Sequence, residues 1–245
     1  MTRLPRLAAA FAAPSGRAAL LAAALALLPA LSAANDRPFQ NARTAVAEDD
    51  DEGSWSFESW VQRLGPVRSL SVEPEYTFTP FTSVQMELSR VIDRSGADTG
   101  HEAEIEFKHL FNHIGRDGYG WGLSAAAATE RSAAEGNVRR LTLKLPVSIQ
   151  LGQTGALLHL NAGVIKPSNE RRLFTRSAAA EFSVTGKSRA FAEFALDGSE
   201  RYAQIGVRHW LRRERLALDV SLQQRRSPDG EKSSGFLIGV GWYDL

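Results

Sequence analysis

The stretch Glu214–Gln223, ERLALDVSLQ, alternates apolar and polar residues without interruption. Four aliphatic residues occupy one face of an extended chain, and the intervening, mostly polar residues occupy the other. Successive side chains of a β-strand point to opposite sides, so this alternation indicates a strand with one apolar and one polar face. A helix would spread the same aliphatic residues around its circumference. The stretch therefore predicts β-structure.

The same period of two recurs from Trp55 to the end of the chain, in segments separated by Gly, Asn, Asp and Pro. No stretch after the N-terminal region has a helical pattern. The sequence thus predicts an all-β protein of twelve strands, over residues 54–62, 69–79, 82–92, 101–111, 118–129, 137–151, 156–165, 173–184, 188–196, 201–211, 214–224 and 235–244.

The connections between these strands alternate in length. One set is mostly tight, as at Pro80-Phe81 and Gly186-Lys187, with a looser member around Asn112–Asp117. The other set is longer and more polar, and comprises residues 93–100, 130–137, 166–172 and 225–234. Alternate connections of an up-and-down meander lie at the same end, so one end is expected to be tight and the other to carry loops. Outer-membrane β-barrels have this asymmetry.

The first 34 residues have the features of a cleaved signal peptide. Arg3, Arg6 and Arg17 precede or flank the apolar run 18–28, and Ser32-Ala33-Ala34 fits a cleavage site. A membrane-anchor helix is the alternative. Residues 35–53 follow without periodicity and end in an acidic run, which predicts a mobile linker. A calcium site there is disfavoured because consecutive carboxylates lack the spacing of a metal loop.

Charge and composition exclude several classes of function. The whole chain has 29 basic and 28 acidic residues, and without residues 1–34 the count becomes 26 against 28. This balance gives no reason to expect a nucleic-acid partner. The absence of cysteine excludes disulfides and thiolate chemistry. No cofactor is expected.

Strand length and aromatic placement favour a membrane barrel over residues 54–245. Most segments reach the 9–11 residues that a tilted membrane strand needs. Aromatic residues near the strand ends suit the girdles at the two membrane interfaces. The residues predicted for this girdle are Trp55, Tyr76, Phe78, Tyr119, Trp121, Trp210 and Trp242. These features predict the outer membrane as location and its lipid as partner; a soluble periplasmic barrel holding a ligand is the alternative.

The polar faces of the strands are the candidates for function, because in a membrane barrel they line the lumen. The residues predicted to line it are Glu102, Glu104, Glu106, Lys108, Arg140, Lys144, His159, Glu181, Arg208, Arg215 and Asp219. Rings of charge can set the selectivity of a pore. The same charges could instead pair with one another and fill a narrow interior, and the sequence leaves both possibilities open.

Enzymatic chemistry is weakly indicated. His159 with a serine of the lumen could form part of a hydrolase triad, but no G-x-S-x-G or comparable signature accompanies it. His109 and His113 are four residues apart, yet the first lies in a predicted strand and the second in a turn, so a metal site is not expected. We expect no catalytic or metal-binding residues. A lipid-modifying or hydrolytic outer-membrane enzyme is the alternative.

Several segments resemble one family of barrels. They are WSFESWVQRL (55–64), SLSVEPEYTFTPFTSVQMELSRVI (69–92), EIEFKHLF (104–111), GYGWGLSAAAAT (118–129) and YAQIGVRHWL (202–211). Together they resemble outer-membrane transporter-like barrels, some of which carry the label of a meta-pathway phenol-degradation protein. The resemblance implies a closed barrel of about twelve strands, of a class that the barrel-assembly machinery inserts. The function that we expect is passive passage of small solutes, apolar ones included.

Overall fold

The computed structural model describes residues 39–48, 51–93, 99–132, 136–152, 156–243 and 245. The predicted signal peptide, 1–34, lies outside these residues. Twelve strands follow one another along the chain: β1 (Trp55–Leu64), β2 (Val67–Thr79), β3 (Thr82–Asp93), β4 (Thr99–Leu110), β5 (Tyr119–Ser132), β6 (Gly136–Leu151), β7 (Ala156–Pro167), β8 (Leu173–Thr185), β9 (Ser188–Asp197), β10 (Glu200–Arg212), β11 (Leu216–Arg226) and β12 (Lys232–Trp242).

Each strand pairs antiparallel with the next along the chain, and β1 pairs with β12 to close the barrel. The closing ladder runs from Phe57 opposite Trp242 to Leu64 opposite Gly235. Closure leaves no strand edge unpaired, which a sheet within a lipid bilayer requires. The prediction of an up-and-down antiparallel barrel of about twelve strands is confirmed.

The two faces of the sheet differ in polarity in the sense that the alternation predicts. On β11, Asp219, Ser221 and Gln223 are buried on the inside, whereas Val220 and Leu222 are exposed on the outside. Most other strands follow this arrangement, although a few large apolar side chains, among them Trp60, Phe191 and Leu237, are buried on the inside. The interior of the barrel is therefore mainly polar and its exterior apolar, the reverse of a soluble globular domain.

Both ends of the barrel have short connections, which differs from the predicted asymmetry. The predicted loops 130–137 and 225–234 shrink to 133–135 and 227–231, because the flanking strands continue into them. The connection 111–118, which the sequence predicts to be the looser member of the tight set, is the longest that the strand bounds give. Strands that project beyond a membrane meet water on both faces, so the ladder can continue where the apolar alternation stops. That is why the sequence pattern underestimated their length.

One helical turn, α1 (Ile114–Asp117), lies in the connection between β4 and β5. It ends at Gly118, whose φ of 75° is the left-handed conformation that glycine adopts readily. A hydrogen bond from Arg116 holds the pKa of the exposed Asp117 carboxyl below its ordinary value. A single turn has no room for a helical repeat, so the sequence did not indicate it. No helix within the described ranges is long and apolar enough to cross a membrane.

Candidate functional site

Residues 39–48 lie inside the barrel, and we call them the lumen segment. Most of them are buried, and their backbone groups bond to side chains of the barrel wall. The expectation of a mobile linker over residues 35–53 is therefore wrong for 39–48. The segment lacks periodicity because it forms no strand of its own, and its order comes mainly from contacts with the wall. Such order is invisible to composition.

The lumen segment begins at an aromatic contact. The ring of Phe39 stacks on Phe191 of β9, with centroids 3.8 Å apart and both side chains almost fully buried. The next residue is held by polar groups: the N–H of Gln40 donates to Asp219 Oδ2 at 3.1 Å, and Gln204 Nε2 donates to the Gln40 carbonyl at 3.3 Å. Strands β9, β10 and β11 thus anchor this end of the segment together.

Glu193 of β9 holds the middle of the segment with a single oxygen. Its Oε1 accepts from the N–H of Arg43 at 2.9 Å, and from the N–H and hydroxyl of Thr44 at 2.8 and 2.7 Å. The Arg43 guanidinium pairs with Asp197 and, at 3.0 Å, with Glu200. Burial disfavours its charge, but these two carboxylates outweigh burial and raise the pKa of Arg43 above its ordinary value. Arg43 therefore remains charged.

The segment then crosses to β6 and β7. Asn161 makes a two-way contact with Ala45, accepting from its N–H at 3.0 Å and donating to its carbonyl at 2.8 Å. The N–H of Ala47 donates to Ser148 Oγ at 2.8 Å. These three bonds satisfy buried backbone groups that would otherwise be costly to remove from water.

Two glycines of the wall make room for the segment. A Cβ at Gly120 of β5 would lie 1.8 Å from the Ala47 carbonyl oxygen, and one at Gly239 of β12 would lie 1.6 Å from Gln40 Oε1. Real Cβ atoms do not approach other atoms so closely, so only glycine permits these contacts. The wall is shaped to receive the segment at both places.

His159 is the centre of a buried cluster beside the end of the segment. Its Nδ1 lies 2.8 Å from Ser148 Oγ, and its Nε2 lies 3.2 Å from Glu181 Oε1 and 3.7 Å from Glu48 Oε1. Arg189 approaches the other oxygen of Glu181 at 3.4 Å. His159 is 0% exposed. The cluster joins β6, β7, β8 and β9 to the lumen segment.

The cluster contains the residue types of a hydrolase triad but is not arranged as one. In the serine hydrolase arrangement, the serine bonds to Nε2 of the histidine and the carboxylate to Nδ1. Here Ser148 bonds to Nδ1 and Glu181 to Nε2. Ser148 is also fully buried, with the Ala47 amide against its oxygen. This geometry suits the anchoring of the segment better than attack on an ester.

A second buried cluster surrounds Arg208. Its guanidinium makes two hydrogen bonds to Asp219, both 2.8 Å, and a third to Glu58 at 3.3 Å. The Tyr243 hydroxyl donates to the same Glu58 oxygen, and the Tyr243 ring lies 5.3 Å from the guanidinium carbon. Since Asp219 also accepts from the lumen segment, this cluster links β1, β10, β11 and the C-terminal residues to it.

The structure places ten of the eleven predicted lumen residues on the inner face. Six of them are buried, namely Glu106, Lys108, His159, Glu181, Arg208 and Asp219. Glu102, Glu104, Arg140 and Lys144 are half-buried. Arg140 Nη2 pairs with Glu102 at 2.6 Å and with Glu104 at 3.1 Å, so the predicted pairing of opposite charges occurs here. Lys144 Nζ donates to the Arg43 carbonyl at 3.0 Å.

Arg215 does not line the lumen. It is exposed in the turn 213–215, and β11 begins only at Leu216. Glu214 has a φ of 60°, a left-handed conformation that interrupts an extended chain. The alternating pattern continues into this turn, which is why the sequence placed the start of the strand two residues too early.

Six of the seven predicted girdle residues lie on the outer face near one end of the barrel. Trp55 and Tyr76 are in contact with centroids 4.9 Å apart, and Phe78 packs against Tyr76 at 4.7 Å. The other three, Tyr119, Trp121 and Trp242, are each nearly half exposed. Trp210 is the exception, because it shares the inward parity of Arg208 and packs against Tyr243 at 5.4 Å. A register shift follows it between Trp210 and Arg212.

Sequence reasoning placed Asp219 and Lys144 in the lumen but missed the other residues that bind the lumen segment. Glu193 and Asn161 belong to the polar faces of their strands, but nothing in the sequence indicates that residues 39–48 bind to them. Gly120 and Gly239 carried a usable signal, since glycine within a strand often marks close approach of another backbone. Ser148 carried another: its position directly opposite His159 follows once the hairpin between β6 and β7 is in register.

Comparison with known proteins agrees with this fold. The chain belongs to the family described as "Uncharacterised conserved protein UCP029691", which matches residues 26–240. No curated protein sequence matches the chain significantly.

Several solved outer-membrane barrels have a similar fold. A KdgM porin in complex with disordered oligogalacturonate superposes with a TM-score of 0.59 at 9% identity, covering 76% of this chain and 98% of that one. The COG4313 outer membrane channel from Pseudomonas putida F1 gives 0.56 at 10% identity, covering 84% and 98%. LpxR from Salmonella typhimurium gives 0.53 at 11% identity, covering 77% and 99%. At these identities the likeness establishes the fold, that of outer-membrane barrels.

Proposed function

We propose that the protein is an outer-membrane channel through which small hydrophilic solutes, cations in preference to anions, diffuse passively. The signal peptide of residues 1–34 would direct its export, the barrel-assembly machinery would insert it, and lipid would surround its apolar exterior. Passage would involve no chemical step and no cofactor. The lumen segment would narrow the path and limit the flux.

The observation that carries this proposal is the excess of carboxylates among the buried side chains of the inner wall. Within the described residues, seven such carboxylates stand against two cations. The carboxylates are Glu58, Glu73, Glu75, Glu106, Glu181, Glu193 and Asp219, and the cations are Lys108 and Arg208. All seven are at most 5% exposed with the lumen segment in place, so they would face the path where the segment withdraws, and there they would attract cations and repel anions.

The polarity of the wall also bears on the type of solute. Apolar solutes, which are among those expected from the sequence, would meet charged and hydroxyl groups over most of the interior. Hydrated solutes would exchange water for similar polar contacts at little cost. The proposal therefore favours hydrophilic solutes. The likeness to KdgM supports a porin-type fold and gives no reason to expect oligogalacturonate as a solute of this protein.

Conductance in planar bilayers tests the proposal. The mature chain is compared with a variant that starts at Asp49 and so lacks the lumen segment. We expect small or infrequent conductance steps for the mature chain and larger, steadier steps for the shortened chain. In a KCl gradient the reversal potential of both should indicate a preference for K⁺ over Cl⁻. If neither protein conducts, although gel mobility shows that both are folded, the proposal is overturned.

A further inference from the structure

Three potential metal ligands converge beside the end of the lumen segment. Glu48 comes from the segment, His159 from β7 and Glu181 from β8, and their ligating atoms all lie within 4.8 Å of one another. The imidazole Nε2 is 3.2 Å from Glu181 Oε1 and 3.7 Å from Glu48 Oε1. We propose that these three residues bind a divalent transition-metal cation such as Zn²⁺, which fastens the lumen segment to the barrel wall.

The spacing of the atoms fits a shared cation. Zinc binds imidazole nitrogen and carboxylate oxygen at about 2.0–2.2 Å, and two ligands at a tetrahedral angle are then about 3.4 Å apart. The separations of 3.2 and 3.7 Å from Nε2 bracket that value. A cation could therefore enter with small side-chain movements, and water would complete its coordination. One imidazole and two carboxylates form a donor set that suits Zn²⁺ or Mn²⁺.

The surroundings of the imidazole orient it for this role. Ser148 Oγ lies 2.8 Å from Nδ1 and also accepts from the Ala47 N–H. A serine oxygen has two lone pairs, so it can accept from a protonated Nδ1 as well. That tautomer turns the lone pair of Nε2 towards Glu48 and Glu181. Histidines that bind metals are commonly fixed in this way through their other nitrogen.

The charges near the site balance those of a dication. Two carboxylates offset the two positive charges of the metal, which a lone buried histidine could not do. Arg189 is the nearest cation, but its Nη1 lies 3.4 Å from Glu181 Oε2 and so leaves Oε1 for the metal. Repulsion between Arg189 and the bound cation lowers the affinity of the site for metal, so the segment can be released again.

The location gives the cation a mechanical role. Glu48 is the ligand supplied by the segment, whereas His159 and Glu181 are fixed in the wall. A bound cation would therefore add a tie at one end of the segment. Its loss would leave the hydrogen bond from Ala47 to Ser148 as the nearest anchor, and the anchors at residues 39, 40 and 43–45 would lie beyond it. This consequence rests on the proposed channel function, whereas the binding of metal does not.

Isothermal titration of the folded chain in detergent with Zn²⁺, after removal of metals by a chelator, tests the site. We expect one equivalent to bind to the unaltered chain. His159→Ala and Glu48→Gln should each weaken binding at least tenfold, and Ser148→Ala about tenfold by loss of orientation. Glu48→Gln leaves the wall untouched, so it remains informative if His159→Ala does not fold.

His209 provides a matched control. Its Nδ1 bonds to Ser188 at 2.9 Å, as that of His159 bonds to Ser148, but it lies exposed on the outside of the barrel. His209→Ala should bind Zn²⁺ like the unaltered chain. No stoichiometric binding, or equal binding by all variants, would overturn the site.

Bilayer recordings separate the site from the channel. Added Zn²⁺ should reduce the conductance of the unaltered chain and leave that of Glu48→Gln unchanged. Stoichiometric binding with silent bilayers would support the site while rejecting the channel. If Zn²⁺ changes the conductance of both proteins equally, the proposal that the cation fastens the segment to the wall is rejected.

Discussion

Arg208 and Asp219 face each other across β10 and β11, and two guanidinium nitrogens each lie 2.8 Å from a carboxylate oxygen. Both side chains are under 5% exposed. Asp219 also accepts from the backbone of Gln40, so one carboxylate serves the barrel wall and the lumen segment at once. The Arg208–Asp219 pair therefore links the stability of the barrel to the order of the lumen segment.

Asp219→Asn should therefore destabilise the barrel. The substitution leaves the buried Arg208 with only Glu58, at 3.3 Å, as its acidic partner. Removing one member of a buried ion pair costs about 3–5 kcal/mol, and the remaining contact places the expected loss near 3 kcal/mol. Urea unfolding of the folded protein in lipid vesicles measures this loss as a change in the free energy of unfolding.

Asp229→Asn is the control for that measurement. Asp229 lies exposed in the connection between β11 and β12, and asparagine can keep the hydrogen bond that its Oδ1 accepts from the Glu231 N–H. The free energy of unfolding should change by less than about 0.5 kcal/mol. Equal losses for the two variants would mean that the Arg208 pair contributes nothing beyond net charge.

Gly120→Ala should displace the lumen segment while keeping the barrel. The added Cβ would lie 1.8 Å from the Ala47 carbonyl oxygen, which is backbone and cannot rotate away. Overpacking of this kind costs about 1–3 kcal/mol. Tryptic cleavage after Arg43 requires the segment to leave the lumen, so its rate should rise about tenfold, as measured by mass spectrometry of the released peptide.

Gly186→Ala is the matched control for Gly120→Ala. Gly186 lies in the turn between β8 and β9, and a Cβ there would meet nothing within 4 Å. Its cleavage rate should equal that of the unaltered chain. Cleavage of Gly120→Ala at the same slow rate would mean that the segment is held elsewhere and does not depend on this recess.

The strands could be predicted from sequence because the signal is repeated within each one. Alternation over ten residues determines both the presence of a strand and the direction of each side chain, as β11 illustrates. Part of the site followed from the same rule. Once the turn after Leu151 is recognised, Ser148 comes opposite His159, and the strand pattern already placed both on the polar face.

The lumen segment could not be predicted, because its partners are distant along the chain. Gln40 bonds to Asp219, and Ala47 bonds to Ser148 more than a hundred residues away. No local pattern records such contacts. The prediction for Trp210 was wrong for a different reason. Its position near a strand end suits a membrane girdle, but its local parity with Arg208 places it on the inner face.

Charge substitutions near Arg140 should change ion selectivity in a defined direction. Arg140→Gln removes the cation that pairs with Glu102 and Glu104, so the preference for K⁺ over Cl⁻ should increase. Glu104→Gln should decrease it. Each substitution changes the charge beside the ion path by one unit. An interaction of about 0.2–1 kcal/mol between a partly exposed charge and a passing ion corresponds to changes of about 1.5- to 5-fold in the permeability ratio.

The reversal potential in a KCl gradient measures both changes. Glu170→Gln, in the connection between β7 and β8, serves as control, because it removes an exposed charge outside the strands. It should leave the reversal potential nearly unchanged. Shifts of the same sign for Arg140→Gln and Glu104→Gln would contradict the assignment of these residues to the ion path.

A final prediction concerns the apolar exterior and tests whether lipid surrounds the barrel. Ile205 lies outward near the middle of β10 and is 61% exposed, whereas Leu151 lies at the end of β6. Arginine facing lipid costs about 2–4 kcal/mol at the centre of a bilayer and about 0–1 kcal/mol near its surface. Ile205→Arg should therefore lower the free energy of unfolding in vesicles far more than Leu151→Arg. In water neither substitution would be costly, because each would replace an exposed apolar side chain with a hydrated one. Small and equal effects in vesicles would thus place the exterior in water and reject the membrane barrel.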